Sequence, residues 1–241
     1  MSLPRRTLIV STALLVPAYG LYRFWSGRTP ISTERPADPE DKPAVPPVVE
    51  SKPAPAPVAL DNVQSPERAI GDASAKVTVT EWFSLTCPHC AAFAKQALPQ
   101  IREEMVKTGK ARIIFADFPL DQVALMAAMV ARSLPTERYV PFVEALFASQ
   151  DRWAFARGVN QTEEVAKMAA LAGMPRATFN SAIANQDLRN TILKSQDEAE
   201  KIYKVDSTPT FIFNGPAAKN RKEAGGQTPE AFARIVAEAT G

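Results

Sequence analysis

The two cysteines of this 241-residue chain, Cys87 and Cys90, stand three positions apart with Pro88 and His89 between them, and no other cysteine occurs. That spacing sets the first limit on the fold. A bridge between them closes a loop too short to restrict the unfolded chain, so the pair is worth little as a staple. Exported scaffolds that depend on disulfides carry several, so this fold must rest on a hydrophobic core. The apolar fraction of 46% and the charged fraction of 22% are those of an ordinary globular domain. The length suits one substantial domain with appendages. Twenty-eight basic residues nearly cancel 26 acidic ones, and so balanced a chain offers no field to hold nucleic acid or an acidic membrane surface.

The pattern on either side of the cysteines is that of a strand, a helix and a second strand. Over residues 76–82, Val77, Val79 and Glu81 alternate with Thr78, Thr80 and Trp82, which predicts a strand. A helix is expected over 88–107, closed by Gly109, followed by a strand over 110–118. Such a unit pairs its strands in parallel through a right-handed crossover. Residues 121–203 read as mostly helix. Thr162 serves as an N-cap ahead of Glu163 and Glu164, Gly173 ends that helix, and Pro175 lies in the first turn of the next. Leu188, Ile192, Ala199 and Ile202 mark one face of a longer helix. Residues 208–215 then form a short apolar strand, 221–224 a second one, and Thr228-Pro229-Glu230 starts a C-terminal helix reaching about Ala239. The fold class is α/β, with a large helical insertion at about 121–203.

Ahead of the domain, which begins near Leu60, two segments differ in character. Residues 1–28 read as an export segment. Arg5 and Arg6 precede an apolar run over residues 7–22, long for a signal core and short for a membrane span of ~20 residues. Val16-Pro17-Ala18 offers a cleavage site after Ala18. An uncleaved anchor, with Phe24 and Trp25 at the membrane interface, is the alternative. Residues 29–59 are rich in Pro and Ala, including Pro46-Pro47 and Pro53-Ala-Pro55-Ala-Pro57. Proline fixes φ and removes donors, so a disordered, semi-extended linker is expected. The protein is expected outside the cytosol, either free after cleavage or tethered to a membrane.

At a helix start, two cysteines in this spacing place their sulfurs side by side on the first turn, Cys87 exposed at the tip and Cys90 tucked beneath it. Free N–H groups and the positive end of the helix dipole favour a thiolate there. Pro88 fits the first helical position, where its missing donor costs nothing. His89 adds positive charge or a donor beside the sulfur. Both effects lower the Cys87 pKa, and a stable thiolate is a good leaving group, so the disulfide becomes an oxidant. A structural zinc site needs about four ligands; this chain offers one CxxC and one histidine inside it. Haem attachment needs His directly after the second cysteine, where Ala91 stands. No metal and no organic cofactor is expected. A copper-carrying or chaperone-like binding module using the same thiols is the reading from another class.

The sequence Thr86-Cys-Pro-His-Cys90 after a strand, the helical insertion, and Thr208-Pro209 before an apolar strand together resemble the DsbA family of thioredoxin-like thiol–disulfide oxidoreductases. The likeness covers residues 60–241. It implies a cis Thr208–Pro209 bond in a loop packed against the Cys87 sulfur, with the Thr208 backbone free to pair with an extended substrate segment. It places an acidic residue beneath the redox pair, here Glu81. The face that Glu81 shares with Val77 and Val79 suggests burial, which would raise its pKa and let it handle the proton of Cys90. The resemblance further implies dithiol oxidation of reduced exported polypeptides and recharging by a quinone-linked membrane partner of the DsbB kind. The family commonly carries Val where Thr208 stands. Threonine is more typical of isomerase and reductase relatives, so an isomerase or reductase for dedicated clients is the alternative. The proline-rich N-terminal 60 residues do not suit the separate dimerisation domain of dedicated isomerases, and a monomer is expected.

Overall fold

The computed structural model describes residues 67–241. The export segment, the linker and the expected domain start near residue 60 lie outside these residues. Five strands form one mixed sheet: β1 (Arg68–Ile70), β2 (Val77–Phe83), β3 (Ala111–Asp117), β4 (Thr210–Gly215) and β5 (Ala218–Ala224), in spatial order β1-β3-β2-β4-β5. Only β2 and β3 run parallel, as their crossover connection requires. The other three pairs are antiparallel. At one edge, β1 has only three residues. At the other, β5 carries Lys219, Arg221, Lys222 and Glu223.

The period-two pattern of β2 determines what each face buries. Val77, Val79, Glu81 and Phe83 meet Ile113 and Phe115 of β3 and Phe211 and Phe213 of β4 in the main core. The aromatic rings interlock there: Phe83 lies 6.3 Å from Phe115, and Phe213 lies 5.2 Å from Phe232. Trp82, Ala116 and Ile212 turn to the opposite face, where Ala199 and Val205 cover them. Over the last three residues of β2 and β3 both faces are buried, while nearer their starts the second face, with Thr78, Thr80, Arg112 and Ile114, is half-buried.

The crossover from β2 to β3 is not one helix over 88–107. It divides into α1 (Pro88–Gln96), α2 (Leu98–Ile101) and a π-helical turn, Arg102–Val106. Pro99 lies in the first turn of α2. It has no N–H for a helical bond, and its ring opposes the preceding turn, so the helix cannot run through. Gly109 (φ +72°) leads into β3.

Between β3 and β4 lie α3 (Gln122–Arg132), α4 (Thr136–Ala148), α5 (Gln150–Trp153), α6 (Gln161–Leu171), α7 (Arg176–Ala184) and α8 (Gln186–Glu198). The N-cap of α6 is Asn160, whose Oδ1 accepts the Glu163 N–H, in place of Thr162. Pro175 is itself the N-cap of α7. Ile202 leaves the buried stripe of Leu188, Ile192 and Ala199 and is 63% exposed. The π-helical turn Ala199–Tyr203 that follows α8 changes the helical period on which that stripe was counted. The last helix, α9 (Pro229–Thr240), is capped by Thr228 and packs Phe232 against β4.

A buried polar cluster bolts the insertion to the sheet. Asp117 at the end of β3 pairs with Arg132 at the end of α3, and both are buried. Arg132 also reaches the Phe115 carbonyl. Arg68 of β1 donates to the carbonyls of Arg132 and Leu134, at 2.9 Å each. Both guanidinium groups lie over the Tyr139 ring of α4, at 5.1 and 5.7 Å from its centroid. Removing one partner of a buried pair strands the other charge. Asp117→Ala is therefore expected to lower the unfolding free energy by about 3–5 kcal/mol, measured by urea denaturation at pH 7. A loss below about 1 kcal/mol would mean that the pair carries no such weight.

Candidate active site

The C-terminal end of β2 delivers the redox pair. After Phe83 the chain turns, the Cys87 N–H bonds the Ser84 carbonyl at 3.0 Å, and α1 begins at Pro88. Cys87 is the N-cap of α1, with φ −80° and ψ 119°, and Cys90 lies in its first turn. Both cysteines are in the thiol form. Cys90 is fully buried. Cys87 is not exposed at the tip as its position suggests but only 4% exposed, because the loop ahead of β4 lies over it. Its Sγ donates to the Thr208 carbonyl at 3.3 Å. The Thr208–Pro209 bond is cis, and both residues are buried. Pro88 and His89 remain exposed beside the sulfur.

The two thiols are driven apart in acidity. The Cys87 thiol is lowered to about 5. The largest cause is the hydrogen bond from the Cys90 thiol; burial opposes it, and the Thr208 side chain and the N–H groups of Cys90 and His89 add to it. The Thr208 hydroxyl is buried with no other partner, which leaves it free to donate to a thiolate. The Cys90 thiol is pushed far up, first by burial and then by its bond to Cys87. The contribution of His89 that the structure contains is its backbone N–H. Its imidazole makes no hydrogen bond to the described residues.

Glu81 is 2% exposed. In the sheet register it lies between Phe115 of β3 and Phe211 of β4. That setting strips water from the carboxyl and raises its pKa to about 8. The same carboxyl acts electrostatically on Cys90. A protonated acid therefore sits behind the thiol that most resists ionisation.

Three residues that shape the site, Ser84, Asp121 and Gln150, carry no motif in the sequence, and Thr86, which opens the cysteine motif, joins them. The Thr86 hydroxyl donates to Asp121 Oδ2 at 2.6 Å, while Asp121 Oδ1 caps α3. The Ser84 hydroxyl lies 3.2 Å from that of Thr86. Gln150 Nε2 donates to the carbonyls of Leu85 and Cys87. Asp121 is recognisable as a helix N-cap, which is a signal for structure alone. Gln150 gives no signal at all. No cluster of three or more His, Cys, Asp or Glu is placed to hold a metal among the described residues. None of the helices among them is long and apolar enough to cross a membrane.

A family model described as Thioredoxin matches residues 64–237. A Rickettsia prowazekii protein named as a candidate protein-disulfide oxidoreductase is 25% identical over 155 residues, covering 64% of this chain and 56% of that protein. This chain thus spans little more than half the length of that relative. The thiol:disulfide interchange protein DsbA of Bordetella parapertussis is 25% identical over 149 residues, covering 60% of this chain and 66% of its own. Among solved structures, Wolbachia pipientis α-DsbA1 superimposes with a TM-score of 0.67 at 27% identity, covering 73% of this chain and 91% of that one. With its redox pair at the start of α1 and its cis-proline loop above, the chain belongs to the thioredoxin family and, within it, to the DsbA branch.

Proposed function

We propose that this protein is a dithiol oxidase of the bacterial periplasm, which inserts disulfides into reduced exported polypeptides through Cys87 and Cys90. The observation that carries this reading is the split in acidity, with Cys87 lowered to about 5 and Cys90 pushed far up. In the disulfide form, a client thiolate attacks the Cys87 sulfur and the Cys87–Cys90 bond breaks. Cys90 leaves and takes a proton from Glu81, because its own thiolate is disfavoured by burial. A second client thiolate attacks the client sulfur of the mixed disulfide. Cys87 then leaves as a thiolate that its hydrogen bonds already hold. The client loses two electrons as its disulfide forms, and the enzyme gains them as the Cys87–Cys90 dithiol. The Thr208 backbone, beside the cis bond, holds an extended client segment.

Recharging passes those electrons to a quinone-linked membrane partner of the DsbB kind, and no further cofactor takes part. The apolar run at residues 7–22 supports export, as a removed signal or as an anchor. The reduction potential of the pair is the decisive measurement. Equilibration with glutathione is expected to give a value far above that of thioredoxin, about −270 mV. A value close to thioredoxin's would replace this reading with the reductase one, which rests on Thr208.

A further inference from the structure

Gln150 is the first residue of α5 and is only 6% exposed. Its amide nitrogen faces the active-site loop, 2.8 Å from the Leu85 carbonyl and 3.1 Å from the Cys87 carbonyl, 63 residues back along the chain. Helices α3, α6, α8 and α9 are each capped by a side chain: Asp121, Asn160, Asn185 and Thr228. Helix α1 has no such cap, because its N-cap is Cys87 itself. Apart from Gln150, the Cys87 carbonyl is met by the Ala91 N–H of α1, at 3.1 Å.

The loop is already tied to the insertion through Thr86 and Asp121, and to the β3–α3 turn by the Leu120 N–H on Ser84 Oγ. Neither tie touches Cys87. Gln150 holds the carbonyl of the cysteine itself, and with it the direction in which the side chain leaves the backbone. That direction decides whether Sγ meets the N–H groups of His89 and Cys90 and the Thr208 loop.

We propose that Gln150 is a positioning residue for Cys87: by gripping the Leu85 and Cys87 carbonyls from the helical insertion, it fixes the geometry in which the sulfur meets its donors. This rests on Cys87 being the exchanging sulfur of the proposed oxidase. It makes the insertion part of the redox centre, since the reactivity of a sulfur on one element is set by an amide on another.

The test is the ultraviolet thiolate titration of the reduced full chain, together with its glutathione equilibrium. Gln150→Met keeps the volume and removes both donors. Its Cys87 midpoint is expected to rise by about one pH unit, a roughly tenfold loss of thiolate on the scale of one hydrogen bond. Its potential should fall by about 30 mV, the same tenfold factor for a two-electron couple. Gln150→Glu, protonated in this buried place, restores one donor and should lie between the two. Asn160→Ala removes the N-cap of α6 in the same insertion without touching the loop and should leave the midpoint in place. A Gln150→Met midpoint equal to wild type, with only the melting temperature lowered, would assign Gln150 to the fold alone and overturn the proposal. Should that variant fail to fold, a wild-type midpoint in Gln150→Glu, which keeps only one of the two donors, overturns it equally. A wild-type midpoint at the ordinary thiol value would count against the oxidase reading; the role of Gln150 is read from the differences.

Discussion

Cys87→Ala is expected to remove catalysed dithiol oxidation altogether, leaving a reduced model client to oxidise at the rate seen without enzyme. Cys90→Ala should behave differently. Loaded as a mixed disulfide with glutathione, it retains the Cys87 sulfur that clients attack, and it lacks the neighbouring thiol that would attack Cys87 in turn and expel a client with a single cysteine. Client-linked species should accumulate on non-reducing gels. The reduced wild-type protein offers a sharper check at pH 7. A thiol lowered to about 5 is almost entirely thiolate there, whereas an unperturbed one with a pKa of about 8.5 is only a few per cent ionised. Brief exposure to iodoacetamide should label Cys87 and spare Cys90, as peptide mass mapping would show. Equal labelling would contradict the division of roles.

Glu81→Gln should make the protein more stable at neutral pH and a worse catalyst. Burial raises the carboxyl from 4.5 to about 8. Above pH 4.5 the unfolded chain releases this proton, while the folded chain keeps it until about pH 8. The folded state therefore binds more protons across that window, and stability falls as pH rises through it, levelling off above about pH 8. The loss reaches on the order of 3 kcal/mol at pH 7. A neutral amide has no such term. Urea midpoints of the variant and the wild type should nearly coincide at pH 4 and separate in favour of the variant by pH 7. Turnover should drop on the order of 10²-fold if the carboxyl supplies the Cys90 proton, and the inflection near pH 8 should vanish from the rate profile. A variant that gains stability without losing turnover would leave Glu81 as a buried acid with no catalytic part.

The elements around the cysteines were legible because each carries a short-range signature. Alternation in β2 places Glu81 on the same face as Val77 and Val79, and Pro88 marks the start of α1. The same local signals failed where a global constraint decides. Three residues of β1 are too few to alternate, and they become a strand because β3 offers them a partner and Arg68 a buried anchor. The two π-helical turns follow no hydrophobic period, so Ile202 was counted on a face it does not occupy. Gln150 lies beyond any sequence reading of the site. A glutamine opening a short helix is unremarkable until the fold carries it 63 residues back to the Cys87 carbonyl.

The charged outer strand β5 also bears on what this protein can handle. A dithiol oxidase of the kind proposed would meet segments rich in unpaired backbone groups, and a bare sheet edge would recruit them into growing β-assemblies. Lys219, Arg221, Lys222 and Glu223 line that edge, and every incoming strand would have to strip water from them. The opposite edge, three residues long, gives too little length to hold one. Under the proposed oxidase function, extended client segments would be left with the backbone of Thr208, beside the Cys87 sulfur, so the shape that repels aggregation would also steer them toward the chemistry.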